Sequence, residues 1–220
     1  MKIDMHVHTH YSGDSNMSPE ELIAAARARG LDGLAVTDHG TVKGAIETEK
    51  IARDSGLLII PGQEIKTQSG EIIVLGIRED IESHLSLEET CKWISRQGGF
   101  LIIPHPFDRF RSGIGDRIKR IEGQIDAIEA FNSRILFNSF NKKAEEFAVD
   151  SGIPVVAGSD AHFPEEVGNA YTVLDCKPRE EDVLRAIRDK GTKLVTNKTG
   201  LKRYPKTLVL KIRRALLDQR

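Results

Sequence analysis

The amino-acid sequence predicts an α/β fold of the distorted (β/α)7, TIM-like barrel class. Short apolar strands alternate with amphipathic helices along the chain, which is the pattern of a parallel sheet covered by helices. About seven such units suit a closed or distorted barrel better than an open sheet. An open doubly wound sheet is the alternative, but neither a Gly-x-Gly-x-x-Gly motif after the first strand nor a phosphate-loop lysine motif is present.

The first half of the chain combines clear strand patterns with one strong helix start. The first strand has apolar residues at alternate positions, and the capping box Ser18-Pro19-Glu20-Glu21 begins the first helix. Gly30 and Gly56 follow the two helices and are typical residues for ending them. The predicted strands cover residues 3–7, 33–37, 57–61 and 71–77, and the predicted helices cover residues 18–30 and 42–55.

The second half of the chain repeats the alternation and ends in a basic segment. The capping box Ser86-Leu87-Glu88-Glu89 begins a helix, and Gly98-Gly99 ends it. Strands are predicted over residues 100–103, 127–131, 155–157, 170–174 and 193–196, and helices over residues 86–97, 141–151 and 180–190. We therefore expect one barrel domain over residues 1–197. Residues 198–220 would form a basic helical extension that packs on the barrel through its apolar stripe.

Composition argues against several classes of protein, although it leaves a local basic cleft open. Charged residues are frequent but balanced, and the formal net charge of −1 argues against coating nucleic acid by bulk charge. Cys91 and Cys176 are far apart in the sequence, which favours a reducing compartment. No signal peptide and no apolar run of membrane-spanning length is recognisable. These features predict a soluble, cytoplasmic protein that does not act at a membrane.

Histidines and acidic residues recur at the ends of the predicted strands. His6 and His8 are two residues apart on the first strand, so both side chains point to one face and can hold a single metal ion. Asp14 lies beyond the next turn. The other candidates at strand ends are Asp38, His39, Glu64, His105, Asp160 and His162. Because the carboxyl ends of barrel strands converge on one mouth, the sequence predicts a metal centre there.

The number of candidate ligands indicates more than one ion. Five histidines and three carboxylates exceed the needs of a single tetrahedral ion and suit two or three divalent ions bridged by a carboxylate and a water. Such clusters typically hydrolyse phosphate esters, because one ion activates the bridging water as a hydroxide while the others hold the phosphate oxygens. Zinc, manganese and iron all accept histidine and carboxylate ligands, so the sequence leaves the metal open.

The same residues resemble the polymerase and histidinol phosphatase (PHP) superfamily. Five motifs occur in the order of the family: Asp-x-His-x-His, Thr-Asp-His-Gly, Gly-x-Glu, His-Pro and Gly-Ser-Asp-Ala-His. The resemblance runs from about residue 2 to about residue 197 and is highly specific because the motifs are ordered and lie at strand ends. It implies a distorted (β/α)7 barrel with a cluster of usually three ions drawn from zinc, manganese and iron.

The resemblance also implies a ligand set, carried over motif by motif. One ion would be held by His6, His8, Glu64 and Asp160, a second by Asp14, His39 and His162, and a third by Glu64 and His105. Glu64, Asp160 and His162 are the expected catalytic residues. Family members have one more histidine on the third ion, and His84 is the only histidine in the corresponding window. We interpret His84 as an exposed loop residue, because it does not follow a strand.

Within the superfamily the chain is most similar to short, stand-alone phosphoesterases, which remove phosphate from nucleotides or trim short oligonucleotides. The likeness depends on Pro-His-Pro-Phe-Asp, on Glu-Ala-Phe-Asn-Ser-Arg and on the basic segment after the barrel. It implies a hydrolase of phosphoric esters, a phosphatase or exonuclease, acting on a small phosphorylated substrate without a stable protein partner. Histidinol phosphatase activity and a non-catalytic, metal-stabilised scaffold are the alternatives.

Substrate contacts are expected from residues that follow two of the strands. Arg109 and Arg111 follow His105 on one loop, and an arginine fork binds phosphate in a bidentate manner. Arg134 and Asn132 follow another strand and are expected to have the same role. Solvated arginines and a turn-capping asparagine are the alternatives. Asp4 and Asp38 are expected to support neighbouring ligands rather than bind metal.

Overall fold

A computed structural model describes residues 1–199, and within them nine strands and five α-helices are found. The strands are β1 (Lys2–Val7), β2 (Gly33–Val36), β3 (Leu58–Thr67), β4 (Gly70–Leu75), β5 (Phe100–Ile103), β6 (Ala127–Asn132), β7 (Val155–Gly158), β8 (Ala170–Leu174) and β9 (Thr192–Thr196). The helices are α1 (Pro19–Ala28), α2 (Lys43–Ala52), α3 (Leu87–Gln97), α4 (Asn138–Ser151) and α5 (Glu180–Arg188). The predicted C-terminal helix lies outside the described residues.

The strands form one sheet that nearly closes on itself. Their order is β7-β6-β5-β4-β3-β2-β1-β8-β9, so β7 and β9 are the nominal edges. The segment after β7 nevertheless meets β1, where the Asp160 amide donates to the His6 carbonyl at 2.7 Å and the His8 amide donates to the Ala161 carbonyl at 2.9 Å. The predicted α/β, barrel-like fold is therefore confirmed.

The expectation of a parallel sheet is only partly correct. The pairs β1–β2, β2–β3, β5–β6 and β6–β7 are parallel, whereas β3–β4, β4–β5, β1–β8 and β8–β9 are antiparallel. Thr67 pairs with Gly70, which leaves two residues in the β3–β4 turn. A turn this short joins antiparallel strands, since a parallel connection needs a crossover of a dozen residues or more. Between β5 and β6 the chain forms 3₁₀ turns rather than an α-helix.

The third strand is longer than its sequence pattern indicates. We expected it to end at Pro61, but it continues to Thr67. Its first part pairs with β2, up to the register Val36–Pro61, and its second part pairs with β4, from Gly62–Leu75 onward. Glu64 therefore lies within a strand, beyond the end of β2, and not in a loop that follows the strand.

The core is divided between the inside and the outside of the barrel. One cluster takes residues from every strand from β1 to β8 and from α5, including Ile3, Ile60 and Phe100, as expected for side chains that point into a barrel. Two further clusters pack outward strand residues against α1 and α2, and against α3 and α4. Both predicted capping boxes are formed, at Ser18 and at Ser86. Among residues 1–199, none of the helices has the length and apolar character needed to cross a bilayer.

Candidate metal centre

Two strands and the loop after β7 bring four donor atoms together at the mouth of the barrel. The Nε2 atoms of His6 and His8 lie 3.0 Å apart. Glu64 Oε2 lies 3.4 Å from each of these nitrogens. Asp160 Oδ1 lies 3.8 Å from His6 Nε2 and 3.4 Å from His8 Nε2. Ligand atoms about 2.1 Å from a tetrahedral ion are roughly 3.4 Å apart, so this arrangement has the dimensions of a divalent metal site.

A second group of donors adjoins the first. Asp14 Oδ2 lies 3.1 Å from His162 Nε2 and 3.5 Å from His39 Nε2. His39 Nδ1 is 3.1 Å from Glu64 Oε2, which links this group to the first. His8, His39 and His162 also bring one ring nitrogen each within 4.8 Å of one another. The structure thus brings together the residues predicted for the second ion.

Glu64 connects the first two groups to a third. Its Oε2 faces His6, His8 and His39, while its Oε1 lies 3.2 Å from His105 Nε2. A carboxylate that presents one oxygen to each side has the geometry of a bridging ligand. All eight residues predicted as metal ligands therefore lie in one contiguous cluster, and their roles as ligands remain a prediction.

Two buried oxygens in this cluster have the surroundings of cation ligands. Glu64 Oε2 and Asp160 Oδ1 are fully buried and have no hydrogen-bond partner among residues 1–199. Burying a carboxylate oxygen without a donor is costly, whereas coordination to a cation removes that cost. Both oxygens point to the imidazole nitrogens of His6 and His8. The residues present therefore fit a group of divalent ions.

Charge and burial in the cluster favour the metal-binding forms of Glu64, Asp160 and His8. Burial would raise the pKa of Glu64, but the imidazoles of His39 and His6 hold it well below its usual value. Burial likewise opposes ionisation of Asp160, but the charges of Arg111 and His6 keep its pKa well below the usual value. Burial, together with the nearby His162, lowers the pKa of His8 well below its ordinary value, so that this ring is neutral.

A surrounding layer of hydrogen bonds orients the histidines. Glu129 Oε1 lies 3.0 Å from His6 Nδ1, and Ser12 Oγ lies 2.8 Å from His8 Nδ1. His162 Nδ1 lies 2.9 Å from the Asp160 carbonyl oxygen. In each case the Nδ1 atom is engaged and Nε2 is left directed into the cluster, which is how metal-binding histidines are usually held.

Asp38 and Asp4 accept hydrogen bonds from segments next to the candidate ligands. Asp38 accepts hydrogen bonds from the Thr9 amide at 2.6 Å and from Ser12 Oγ at 2.7 Å, and Ser12 Oγ in turn accepts from the His39 amide at 3.1 Å. Asp4 accepts from the backbone amides of Ser159 and Gly168. Asp38 thus positions the loop that carries two candidate ligands, and Asp4 anchors the segment before Asp160.

Two candidate ligands are among the five non-glycine residues with positive φ angles in the described part of the chain. His105 and Asp160 have φ angles of 30° and 56°, which residues other than glycine rarely adopt. Gly158 approaches the first strand so closely that a Cβ atom there would lie 2.4 Å from the Cβ of His6. The loop after β7 is therefore shaped to bring Asp160 against β1, at an energetic cost that the fold elsewhere must offset.

The residues predicted to contact substrate are placed differently from one another. Arg111 forms an ion pair with Asp160 Oδ2 and its Nη1 lies 3.4 Å from Asn132 Oδ1. Asn132 is fully buried, and its Nδ2 donates to both Asp160 and Glu129 at 2.9 Å. Arg134 is buried and lies 3.7 Å from Glu166. Arg109 is exposed, and no contact within residues 1–199 joins it to the cluster. Their contacts with substrate remain a prediction.

Sequence reasoning missed three residues of the site. Glu129 was available as a charged residue inside an otherwise apolar strand, and Ser12 as a hydroxyl next to the first ligands. Nothing in the sequence marked Glu71 as a site residue, because a glutamate beside a turn is common. In the structure its Oε2 lies 3.9 Å from His105 Nε2. Burial, and next the charge of Glu64, raise the pKa of Glu71. His84 is exposed, as expected for a loop residue.

An open cavity of about 390 Å³ adjoins the cluster. Ligand pockets for small molecules typically measure about 300–1,000 Å³, so the space suits a small substrate. Its lining residues are Ser12, Gly13, Asp14, His39, Gly40, Glu64, Lys66, Glu71 and Ser83. Asp14, His39 and Glu64 belong to the candidate metal centre, so a molecule bound in this cavity would contact it directly.

Comparison with protein families and known proteins yields consistent matches. Residues 4–150 match a family model described as the PHP domain, and residues 138–192 match one described as PHP-associated. An uncharacterised protein of Methanocaldococcus jannaschii is 32% identical over 219 residues, covering 93% of this chain and 86% of the relative. A 5'-3' exoribonuclease of Haemophilus influenzae is 38% identical over 81 residues, covering 36% of this chain and 29% of that protein.

Solved structures share the fold at low sequence identity. A two-domain protein from Bacteroides vulgatus, described as containing a PHP-like metal-dependent phosphoesterase, superposes with a TM-score of 0.78. The two chains are 17% identical, and the match covers 90% of this chain and 65% of the other. At this level of identity the likeness extends to the fold.

Proposed function

This chain belongs to the PHP family, and we propose that it hydrolyses a phosphate ester of a nucleotide or of the end of a short oligonucleotide. One observation carries the proposal: a buried cluster of imidazoles and carboxylates, linked by Glu64, lines the wall of a cavity large enough for a small phosphorylated molecule. The proposed catalytic residues are Glu64, Asp160 and His162, since each directs a donor atom to the place where ions, water and phosphate would meet.

Two or three divalent ions of zinc, manganese or iron would supply a water of lowered pKa and positive charge for the phosphate oxygens. The side chains His6, His8, Glu64 and Asp160 would hold one ion, and Asp14, His39 and His162 a second. The protein's own contribution is to direct these donors inward, through Glu129 at His6 and Ser12 at His8. Burial of the cluster keeps competing bulk water away from most of these atoms.

Two cations are available for the charge of the phosphate. Lys66 lines the cavity, and no residue within 1–199 forms an ion pair with its ammonium group. Arg111 is anchored on Asp160 at the inner end of the site, and its guanidinium presents further N–H donors beyond that contact. We propose that Lys66 holds the phosphate at the cavity side and that Arg111 holds it beside the metal centre.

Two exposed aromatic rings on loops that also carry site residues support a nucleotide substrate. Phe110 and Phe137 are 74% and 50% exposed, and their ring centroids lie 5.9 Å apart. Each follows a strand whose end carries site residues, next to Arg111 and after Arg134 respectively. Nucleobases stack on such rings with little dependence on sequence. The exoribonuclease relative, whose name specifies an RNA substrate, is consistent with this choice.

The experiment is phosphate release and product analysis across a substrate panel. AMP, nucleoside bisphosphates, histidinol phosphate and a short 5′-phosphorylated RNA are each incubated with the protein and Mn²⁺, and again after chelation. We expect chelator-sensitive release from a nucleotide or shortening of the RNA. Release from histidinol phosphate alone would replace the proposed substrate, and no turnover by a protein that carries metal by elemental analysis would favour a scaffold.

Matched variants test the site assignment in the same assay. His6→Ala and Asp160→Asn are expected to abolish hydrolysis, because each removes a donor of the first group. Glu145→Gln, an exposed position on α4, is the control and should leave turnover unchanged. Full activity in either site variant would refute the assignment.

A further inference from the structure

A third set of donors adjoins the two groups of histidines and shares Glu64 with them. His105 Nε2 lies 3.2 Å from Glu64 Oε1 and 3.9 Å from Glu71 Oε2. One donor atom from each of the three residues lies within 4.8 Å of the others. The side chains of Glu64 and His105 are fully buried, and that of Glu71 is 15% exposed. Two carboxylates and an imidazole thus face one small space.

The β3–β4 hairpin is what brings Glu71 to this space. In its register Lys66 pairs with Glu71, and Glu64 pairs with Ile73. Glu64 and Lys66 are two residues apart on β3 and share a face, so Glu71, opposite Lys66, lies on that same face. The two-residue turn fixes the register, because a slip by one residue would turn Glu71 to the other face.

An ordinary structural role does not account for Glu71 well. Two carboxylates that face one buried space repel each other unless a cation lies between them. Two protein cations are near. The charge of Arg111 acts to lower the pKa of Glu71, but the ion pair of Arg111 is with Asp160, and Lys66 forms no ion pair with Glu71 within residues 1–199. Glu71 Oε2 is instead directed to the same nitrogen of His105 that Glu64 Oε1 approaches.

We infer that Glu71 is a protein ligand of a third divalent ion, which it holds together with Glu64 and His105. The sequence has no second histidine for such an ion, and His84 is exposed on its loop. Two carboxylates and one imidazole form a harder ligand set than the histidine-rich sites beside it, so this site should discriminate against Mn²⁺ relative to Zn²⁺ less than those sites do. The inference does not rest on the proposed reaction, since metal binding is measured without substrate.

The test is the number of Mn²⁺ ions bound by the metal-free protein, measured by equilibrium dialysis and elemental analysis. The wild-type chain should bind three ions and Glu71→Gln two. Loss of an outer hydrogen-bond partner weakens metal affinity by roughly 10–100-fold, and the affinity of Glu71→Gln for the third ion should fall by more than that. Glu71→His should bind three ions again and take up more Zn²⁺ when the two metals compete. Glu79→Gln, an exposed glutamate after the same hairpin, is the matched control and should bind three.

Thermal melting of the metal-free proteins separates a ligand from a structural residue. If Glu71 is a ligand, metal-free Glu71→Gln should melt at the wild-type temperature or above it, because one of two repelling carboxylates is gone. A lower melting temperature in the metal-free state would assign a structural role and overturn the inference. Equal numbers of ions in the wild type and in Glu71→Gln would overturn it as well.

Discussion

The substitution Glu129→Gln tests how the first metal group is held. Glu129 has two carboxylate oxygens and three donors around it. Its Oε1 faces His6 Nδ1 at 3.0 Å, and its Oε2 accepts from the His105 amide at 2.8 Å and from Asn132 Nδ2 at 2.9 Å. A glutamine of the same shape has one acceptor oxygen and one NH₂ group, so on one side a donor must face a donor.

The size of the effect follows from these contacts. Loss of an outer hydrogen-bond partner of a metal-binding histidine typically weakens metal affinity by about 10–100-fold, or about 1.4–2.7 kcal/mol. If the glutamine side chain keeps its oxygen toward His6, its NH₂ group faces two other donors, the backbone N–H of His105 and Asn132 Nδ2. The fold is then destabilised by about 1–3 kcal/mol instead. One of the two quantities must therefore change, because three buried donors cannot share one oxygen.

The assay combines metal competition with urea denaturation. Affinity is measured by competition with a coloured chelator, and the free energy of unfolding is measured on the metal-free protein. Glu145→Gln, the same chemical change on the exposed side of α4, is the control and should alter neither quantity. A Glu129→Gln protein with wild-type affinity and wild-type unfolding free energy would refute the reasoning.

Three further predictions follow from the same geometry. Gly158→Ala should lower the free energy of unfolding by about 1–3 kcal/mol in urea denaturation, because its Cβ would lie 2.4 Å from His6 Cβ and 2.7 Å from Glu129 Oε1. Gly123→Ala, with no heavy atom within 4 Å, is its control, and equal effects of the two would contradict the prediction. Chelation should lower the melting temperature by about 5–10 °C for each bound ion whose free concentration was about a hundredfold above its Kd. Binding then contributes about 2.7 kcal/mol to the free energy of unfolding. An unchanged melting curve in a protein shown to have lost its metal would count against ions within the fold. Lys66→Ala should raise KM by about tenfold or more, because a hydrogen bond to a charged group contributes roughly 1.5–3 kcal/mol, and Lys66→Arg should restore most of the loss. Lys92→Ala on α3 is the exposed control, and a KM unchanged by Lys66→Ala would remove this residue from the substrate site.

Local signals in the sequence determined much of the fold. The capping boxes at Ser18 and Ser86 were predicted from four residues each and are formed as expected. The bounds of β5 and β8 were also predicted from short apolar runs. Such features depend on neighbours within one or two turns of chain, so one sequence suffices to find them. Clustering of the candidate ligands was predictable too, because the carboxyl ends of barrel strands meet at one mouth.

Tertiary structure decided what depends on partners distant in the chain. The extension of β3 past Pro61 requires β4 as a second partner, and its antiparallel register is what places Glu71 beside Glu64. Arg111 reaches Asp160 while Arg109, two residues earlier on the same loop, is exposed. Glu129 meets His6 across 123 positions of sequence. Residue type and spacing reveal which side chains can bind a metal, but the pairing of strands and the path of loops decide which atoms come within a few ångströms of one another.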